Sequence, residues 1–149
     1  MSDDRQNADT LRSIHLTRSG PLEYRAENRR GGVISIGEGQ NADFTPVELL
    51  LVALGGCNAV SIEALTKRAE PRRFDVSVTA DKVKDDDGGT QLENLVVTVD
   101  LAFDTDEAGQ KMTERIPDAI EKSHTRLCTV SRTIERETPV TMAQVRPTA

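Results

Sequence analysis

The stretch FTPVELLLVALGGCNAVSIEAL, residues 44–65, constrains the fold of this chain more than any other segment. Thr45 and Glu48 have the spacing of a capping box, and Pro46 suits the first position of a helix. Apolar side chains then cover nearly the whole circumference from Val47 to Leu54. This pattern predicts a long helix that is buried on most sides.

Two glycines lie in the middle of this helix, directly before a cysteine. Glycine inside a helix costs about 1 kcal/mol relative to alanine, so Gly55 and Gly56 need a physical reason. They could allow close packing of another element, or they could let a substrate approach the sulfur of Cys57. Cys57 itself could be a small core residue, because free cysteine is among the most buried residue types. The residues alone leave both interpretations open.

The rest of the chain alternates between strand and helix patterns. Residues 1–12 are predicted to form a disordered tail, and residues 13–146 a single domain. Strands and helices are partly segregated along the chain, which predicts the α+β class with antiparallel sheets. The predicted elements are three strands in 13–37, the long helix, a hairpin of strands in 73–83 and 92–103, two helices in 105–136 and a last strand in 138–145.

The second helical region has its own start and stop signals. Thr105 is the expected N-cap, and acidic residues follow it. Pro117 removes a helical N–H, so a kink or a new helix start is expected there. The pattern then continues to Leu127, and a short further helix follows Cys128.

Charge and composition exclude several classes of function. The net charge of −6 and the pI near 5.0 disfavour nucleic acid binding, which needs a basic face. No apolar segment is expected to reach the ~18 residues of a membrane span, and the acidic N-terminus is unlike a signal peptide. We therefore expect a cytoplasmic protein, in which two cysteines indicate redox chemistry, metal binding or inert packing. Few aromatic residues leave a thin core that a partner subunit could complete.

The second cysteine lies in a setting that favours a thiolate. Cys128 is expected at the start of a short helix, where unpaired N–H groups stabilise negative charge, and Arg126 is close in sequence. If Cys57 and Cys128 meet, they can reduce a peroxide through a sulfenic acid and a disulfide. His124 lies four residues before Cys128, but no cluster of further ligands accompanies them, so a metal site is disfavoured.

Two segments resemble a known family. PVELLLVALGGCNAVSIEAL resembles the cysteine helix of the OsmC/Ohr family, the osmotically inducible and organic hydroperoxide resistance proteins, and RLCTVSRTIERETPVT resembles its second cysteine segment. The resemblance implies an intertwined homodimer with active sites at the subunit interface. It also implies a thiol peroxidase for organic hydroperoxides, with Cys57 as the peroxidatic cysteine and Cys128 as the resolving one. No metal or prosthetic group is implied, and an external dithiol, such as a lipoylated protein, would be the reductant.

The chain departs from this family at several positions. Val47 stands where active members have a glutamate, and Thr129 where a proline commonly follows the second cysteine. On an ideal helix, Glu48 lies on the opposite face from Cys57, about 180° away, so a capping role for Glu48 is favoured over a catalytic role. Arg18, with Arg25 as the alternative, is the residue expected to lower the pKa of Cys57. These departures keep a second hypothesis open, a non-catalytic dimer that binds a small apolar ligand or senses redox state.

Overall fold

The computed structural model describes residues 10–146 and confirms the α+β class. Both sheets are antiparallel, one of three strands and one of two. Two compact units, residues 1–50 and 51–149, divide within the long helix. Most of the predicted tail, residues 1–12, lies outside the described residues. The elements are β1 (Ile14–Gly20), β2 (Glu23–Asn28), β3 (Val33–Ile36), α1 (Pro46–Leu65), β4 (Arg73–Lys84), β5 (Thr90–Ala102), α2 (Glu107–Lys122), a π-helical turn (Ser123–Leu127) and α3 (Thr129–Glu135).

The first unit holds a meander of β1, β2 and β3 and the start of α1. The hydroxyl of Thr45 accepts a hydrogen bond from the backbone N–H of Glu48 at 3.2 Å. The same hydroxyl donates to the Glu48 carboxylate at 3.0 Å. One orphan N–H of the first turn is thereby satisfied, which confirms the capping pair predicted from the sequence.

The second unit holds most of α1, the β4–β5 hairpin and the later helices. In the hairpin, Val78 lies opposite Val97, and Val76 lies opposite Val99. A Cβ atom added to Gly55 would lie 2.7 Å from Cγ2 of Val78, which is closer than real Cβ contacts. Gly55 is therefore the residue that lets α1 approach the sheet. The second glycine has a different role, because a Cβ added to Gly56 would meet open space.

The long helix is less buried than its sequence predicts. Within α1 only Leu54, Gly55, Asn58 and Ile62 are buried, and Val60 is 69% exposed. The prediction of a helix buried on most sides is therefore wrong for a single chain. The physical reason is that one two-stranded sheet and two short helical layers can cover only one stripe of such a helix.

Among residues 10–146, α1 is also the one helix that is long and apolar enough to cross a membrane. The expectation that no segment reaches that length is wrong. The core helix of a soluble protein meets the same criteria, so length and composition alone are weak support for a membrane span.

The second helical region differs from its prediction in two details. The N-cap of α2 is Asp106, whose carboxylate accepts from the N–H of Gly109 at 2.7 Å, so the prediction of Thr105 is wrong by one residue. Pro117 lies inside a helix that runs without interruption from Glu107 to Lys122. Buried Met112 and Ala119 anchor the turns on both sides of the proline, and the expected new helix start is absent there.

The predicted last strand is also absent. Residues 137–146 form neither a strand nor a helix, and Val140, Met142 and Val145 are almost fully exposed. The alternating pattern is present, but a strand needs a neighbour for its backbone hydrogen bonds. No described strand of this chain provides one.

Candidate functional site

The second cysteine is positioned by a change of helix type. The backbone N–H of Cys128 donates to the carbonyl of Ser123 at 2.8 Å, which is the five-residue spacing of a π-helix. Cys128 then adopts an extended backbone, with φ −76° and ψ 102°, and becomes the N-cap of α3. Single π-helical turns are common at functional sites. Here the turn ends at Cys128, where the backbone changes from helical to extended.

Cys128 is completely buried, with 0% of its surface exposed. Its sulfur accepts a hydrogen bond from the backbone N–H of Ser131 at 3.3 Å. Burial by itself raises the pKa of Cys128, but hydrogen bonds from the Ser131 hydroxyl, the Cys57 thiol and the backbone outweigh it. The pKa of Cys128 therefore lies below its ordinary value, and a thiolate is stabilised at this helix start.

Cys57 lies on α1, near the sulfur of Cys128, and is half-buried. Burial raises the pKa of Cys57, and its hydrogen bond to Cys128 raises it further, although N–H groups of Val130 and Thr129 act in the opposite direction. Both cysteines are free thiols. The structure thus brings the two predicted site residues close enough to influence each other's pKa.

A buried polar network lies beside the two thiols. The amide nitrogen of Asn58 donates to the Leu54 carbonyl at 2.9 Å and to the Ser131 hydroxyl at 3.0 Å. The amide oxygen of Asn58 accepts from the hydroxyl of Ser123 at 2.8 Å. No buried side-chain nitrogen or oxygen among residues 10–146 lacks a partner. The sequence analysis missed these residues, although an asparagine within an apolar helix, directly after Cys57, is the signal that could have revealed them.

A cavity of about 430 Å³ lies between α1, β5 and the later helices. Its wall is largely aliphatic, and Asn58 and Ser131 belong to it. Neither cysteine lines the cavity. The other lining residues are Leu54, Ile62, Leu95, Val97, Val99, Ile120, His124, Ile134 and Glu135.

The remaining candidate residues lie elsewhere. Arg18 lies in β1, and Arg25 lies in β2, where it forms an ion pair with Glu27 at 3.7 Å. Both belong to the first unit, and their action on Cys57 stays a prediction. Glu48 serves as the partner of Thr45 in the first turn of α1. A catalytic role for Glu48 stays a prediction as well.

The histidine that precedes the second cysteine has another partner. Nε2 of His124 is hydrogen-bonded to the carboxylate of Glu135, so His124 joins the π-helical turn to the end of α3. Within the described part of the chain, no three side chains of His, Cys, Asp or Glu come together in a way that could hold a metal ion.

Comparison with known proteins identifies the family. The family model for OsmC-like proteins matches residues 37–143, which include both cysteines and the whole polar network. The chain belongs to the OsmC-like protein family. No curated protein matches its sequence significantly.

Solved structures share the fold of this OsmC-like chain at low sequence identity. An OsmC-like protein of unknown function from Vibrio cholerae is 15% identical, with a TM-score of 0.70, and the match covers 86% of this chain and 96% of that one. A hypothetical protein from Aquifex aeolicus is 18% identical, with a TM-score of 0.68 and coverage of 86% and 89%. An organic hydroperoxide resistance protein from Elizabethkingia anophelis is 18% identical, with a TM-score of 0.62 and coverage of 86% and 91%.

Proposed function

We propose that this protein is a thiol peroxidase that reduces organic hydroperoxides with Cys57 and Cys128. The observation that carries the proposal is that Cys57 and Cys128, the only two cysteines of the chain, lie close enough to influence each other, one half-buried and one completely buried. Membership of a family that includes organic hydroperoxide resistance proteins supports it. Cys57 is the sulfur that a substrate can reach.

The reaction follows from the positions of the protons. As a hydroperoxide approaches, Cys57 transfers its proton to the Cys128 thiolate, and the Cys57 sulfur attacks the O–O bond. That bond breaks, Cys57 becomes a sulfenic acid, and the leaving alkoxide takes the proton from Cys128 to form an alcohol. The Cys128 thiolate then attacks the Cys57 sulfur, forms the disulfide and releases hydroxide, which solvent protonates to water.

An external dithiol completes the cycle. It attacks the disulfide, is itself oxidised to a disulfide, and returns both cysteines to the thiol state. The half-buried sulfur is the one that such a reductant can reach, which is again Cys57. A lipoylated protein in the cytoplasm fits this role.

Thiol counting tests the peroxidase directly. One equivalent of cumene hydroperoxide added to the reduced protein is expected to remove two thiols per chain and to form an intramolecular disulfide. Cys57→Ser is expected to abolish turnover, and Cys128→Ser to leave a single oxidation of Cys57 that does not complete the cycle. Unchanged thiol content in the wild-type protein, or full activity in Cys57→Ser, would overturn the proposal.

We also propose that the working form is a homodimer. A groove of about 390 Å³ beside α1 is lined by small and aliphatic residues, and Gly56 leaves open space within it. A second copy of such an apolar surface is a matching occupant. Sedimentation is expected to give twice the chain mass for wild type, and a smaller mass for Val52→Glu, which introduces a charge into the groove.

The cavity favours a second candidate function. Its volume of about 430 Å³ and its aliphatic wall suit a small apolar ligand. A ligand-binding protein on the same fold would keep both thiols after exposure to hydroperoxide and would bind an apolar fluorescent probe. Filling the cavity by Val97→Phe would then abolish probe binding.

A further inference from the structure

We propose that Asn58 is a positioning residue that holds the Ser131 hydroxyl in the orientation that donates its proton to the Cys128 sulfur. The inference deepens the proposed peroxidase, in which that sulfur receives the proton of Cys57. It concerns the buried polar network, which the family comparison does not assign to any role.

The orientation of the Asn58 amide is fixed by its partners. A backbone carbonyl can only accept a hydrogen bond, so the atom that faces the Leu54 carbonyl at 2.9 Å must be the nitrogen. The same nitrogen faces the Ser131 hydroxyl at 3.0 Å. The other end of the amide is then the oxygen, and it accepts from the hydroxyl of Ser123 at 2.8 Å.

This orientation decides where the Ser131 proton points. A hydroxyl that accepts from an amide nitrogen keeps its own proton for a different acceptor. The sulfur of Cys128 is the acceptor in this proposal, because the backbone N–H of the same Ser131 already donates to that sulfur at 3.3 Å. In this proposal the amide nitrogen of Asn58 donates to the hydroxyl of Ser131, and that hydroxyl donates to the sulfur of Cys128.

Burial strengthens the hydrogen bonds that connect Asn58, Ser131 and Cys128. Cys128 and Ser123 are 0% exposed, and Asn58 and Ser131 are nearly as buried. Because the sulfur of Cys128 is completely buried and does not line the cavity, each hydrogen bond to that sulfur counts strongly. Asn58 also joins three elements, because its partners lie on α1, at the start of the π-helical turn and on α3.

The experiment uses a chain with one thiol. In a Cys57→Ser background, the ultraviolet absorbance of the thiolate against pH reports the pKa of Cys128 alone, since the chain has no other cysteine. No hydroperoxide is involved, so a failed peroxidase assay and a failed positioning role give distinguishable results. Charged and titratable groups on the neighbouring elements are unchanged between variants: His124 and Arg126 on the π-helical turn, Arg132 and Glu135 on α3, and Glu48 and Glu63 on α1.

Asn58→Ala is expected to raise the pKa of Cys128 by about one unit, the equivalent of one lost charge-assisted hydrogen bond. Asn58→Asp is expected to raise it further. A carboxylate of the same shape accepts the Ser131 proton instead of leaving it for the sulfur, and it adds a negative charge. Thr66→Val is the matched control, because it removes a buried hydroxyl bonded to the Ile62 carbonyl just after the same helix.

A double-mutant cycle separates positioning from general loss of packing. With Ser131→Ala already present, Asn58→Ala is expected to cause no further rise of the Cys128 pKa. The proposal is overturned if Asn58→Ala or Asn58→Asp changes the pKa no more than Thr66→Val does. It is also overturned if Asn58→Ala has the same effect with and without the Ser131 hydroxyl. If Asn58→Ala does not fold, the isosteric Asn58→Asp variant decides the matter.

Discussion

The two cysteines occupy opposite kinds of environment. Cys57 lies in the middle of a long helix, half-buried, with a raised pKa. Cys128 lies at the start of a short helix, completely buried, with a lowered pKa. Access is thus greater at Cys57, while the surroundings of Cys128 favour its thiolate form more strongly. A half-buried sulfur can meet a substrate, while a buried one keeps its thiolate away from unwanted oxidants.

The largest expected difference between the two sites is in alkylation. Iodoacetamide is expected to modify Cys57 in the Cys128→Ser variant at least about a hundredfold faster than it modifies Cys128 in the Cys57→Ser variant. A completely buried sulfur reacts only when the structure opens locally, whereas a half-buried one does not have to wait for that opening. Mass spectrometry over time measures both rates. Equal rates would show that access does not separate the two cysteines.

The helix around Cys57 offers the next test. Gly55→Ala is expected to lower the free energy of unfolding by about 1–3 kcal/mol, because the added Cβ would lie 2.7 Å from Val78 and overpack the helix–sheet contact. Gly56→Ala is the matched control, since its Cβ meets open space within the chain. Denaturant unfolding at a protein concentration that keeps both variants in one oligomeric state measures the difference. Equal stabilities would contradict the close approach at Gly55.

The smallest expected effect is a pH dependence from Cys128. Its pKa is lower in the folded than in the unfolded state, so its stabilisation is complete above the unfolded value and is lost as pH falls through the folded value. The difference in unfolding free energy between Cys57→Ser and Cys57→Ser/Cys128→Ser should therefore grow as pH rises through this window. Each unit by which the pKa is lowered contributes about 1.4 kcal/mol. A difference that is constant with pH would contradict a stabilised thiolate.

Local patterns in the sequence predicted the elements that depend on local interactions. The Thr45–Glu48 pair marked the start of α1 correctly, and the alternating pattern marked the β4–β5 hairpin. The same reasoning misplaced the N-cap of α2 by one residue, because Thr105 and Asp106 are both good caps and only the Asp106–Gly109 bond distinguishes them. It also predicted a last strand from alternation alone. A strand needs a neighbouring strand for its backbone hydrogen bonds, and alternation within one segment cannot identify that neighbour.

By itself the sequence determined the α+β class, the family and the two thiols, because helix and strand periods and cysteine positions are properties of the chain order. Only the tertiary structure decided that Cys57 and Cys128 influence each other, that the pKa of Cys128 is lowered while that of Cys57 is raised, and that Asn58, Ser123 and Ser131 form a buried polar network beside them. Hydrogen-bond direction and burial depend on atoms that are distant in sequence. The two glycines illustrate the division: the sequence marked both as unusual, but packing against Val78 explains Gly55 alone, while Gly56 is left open in the single chain.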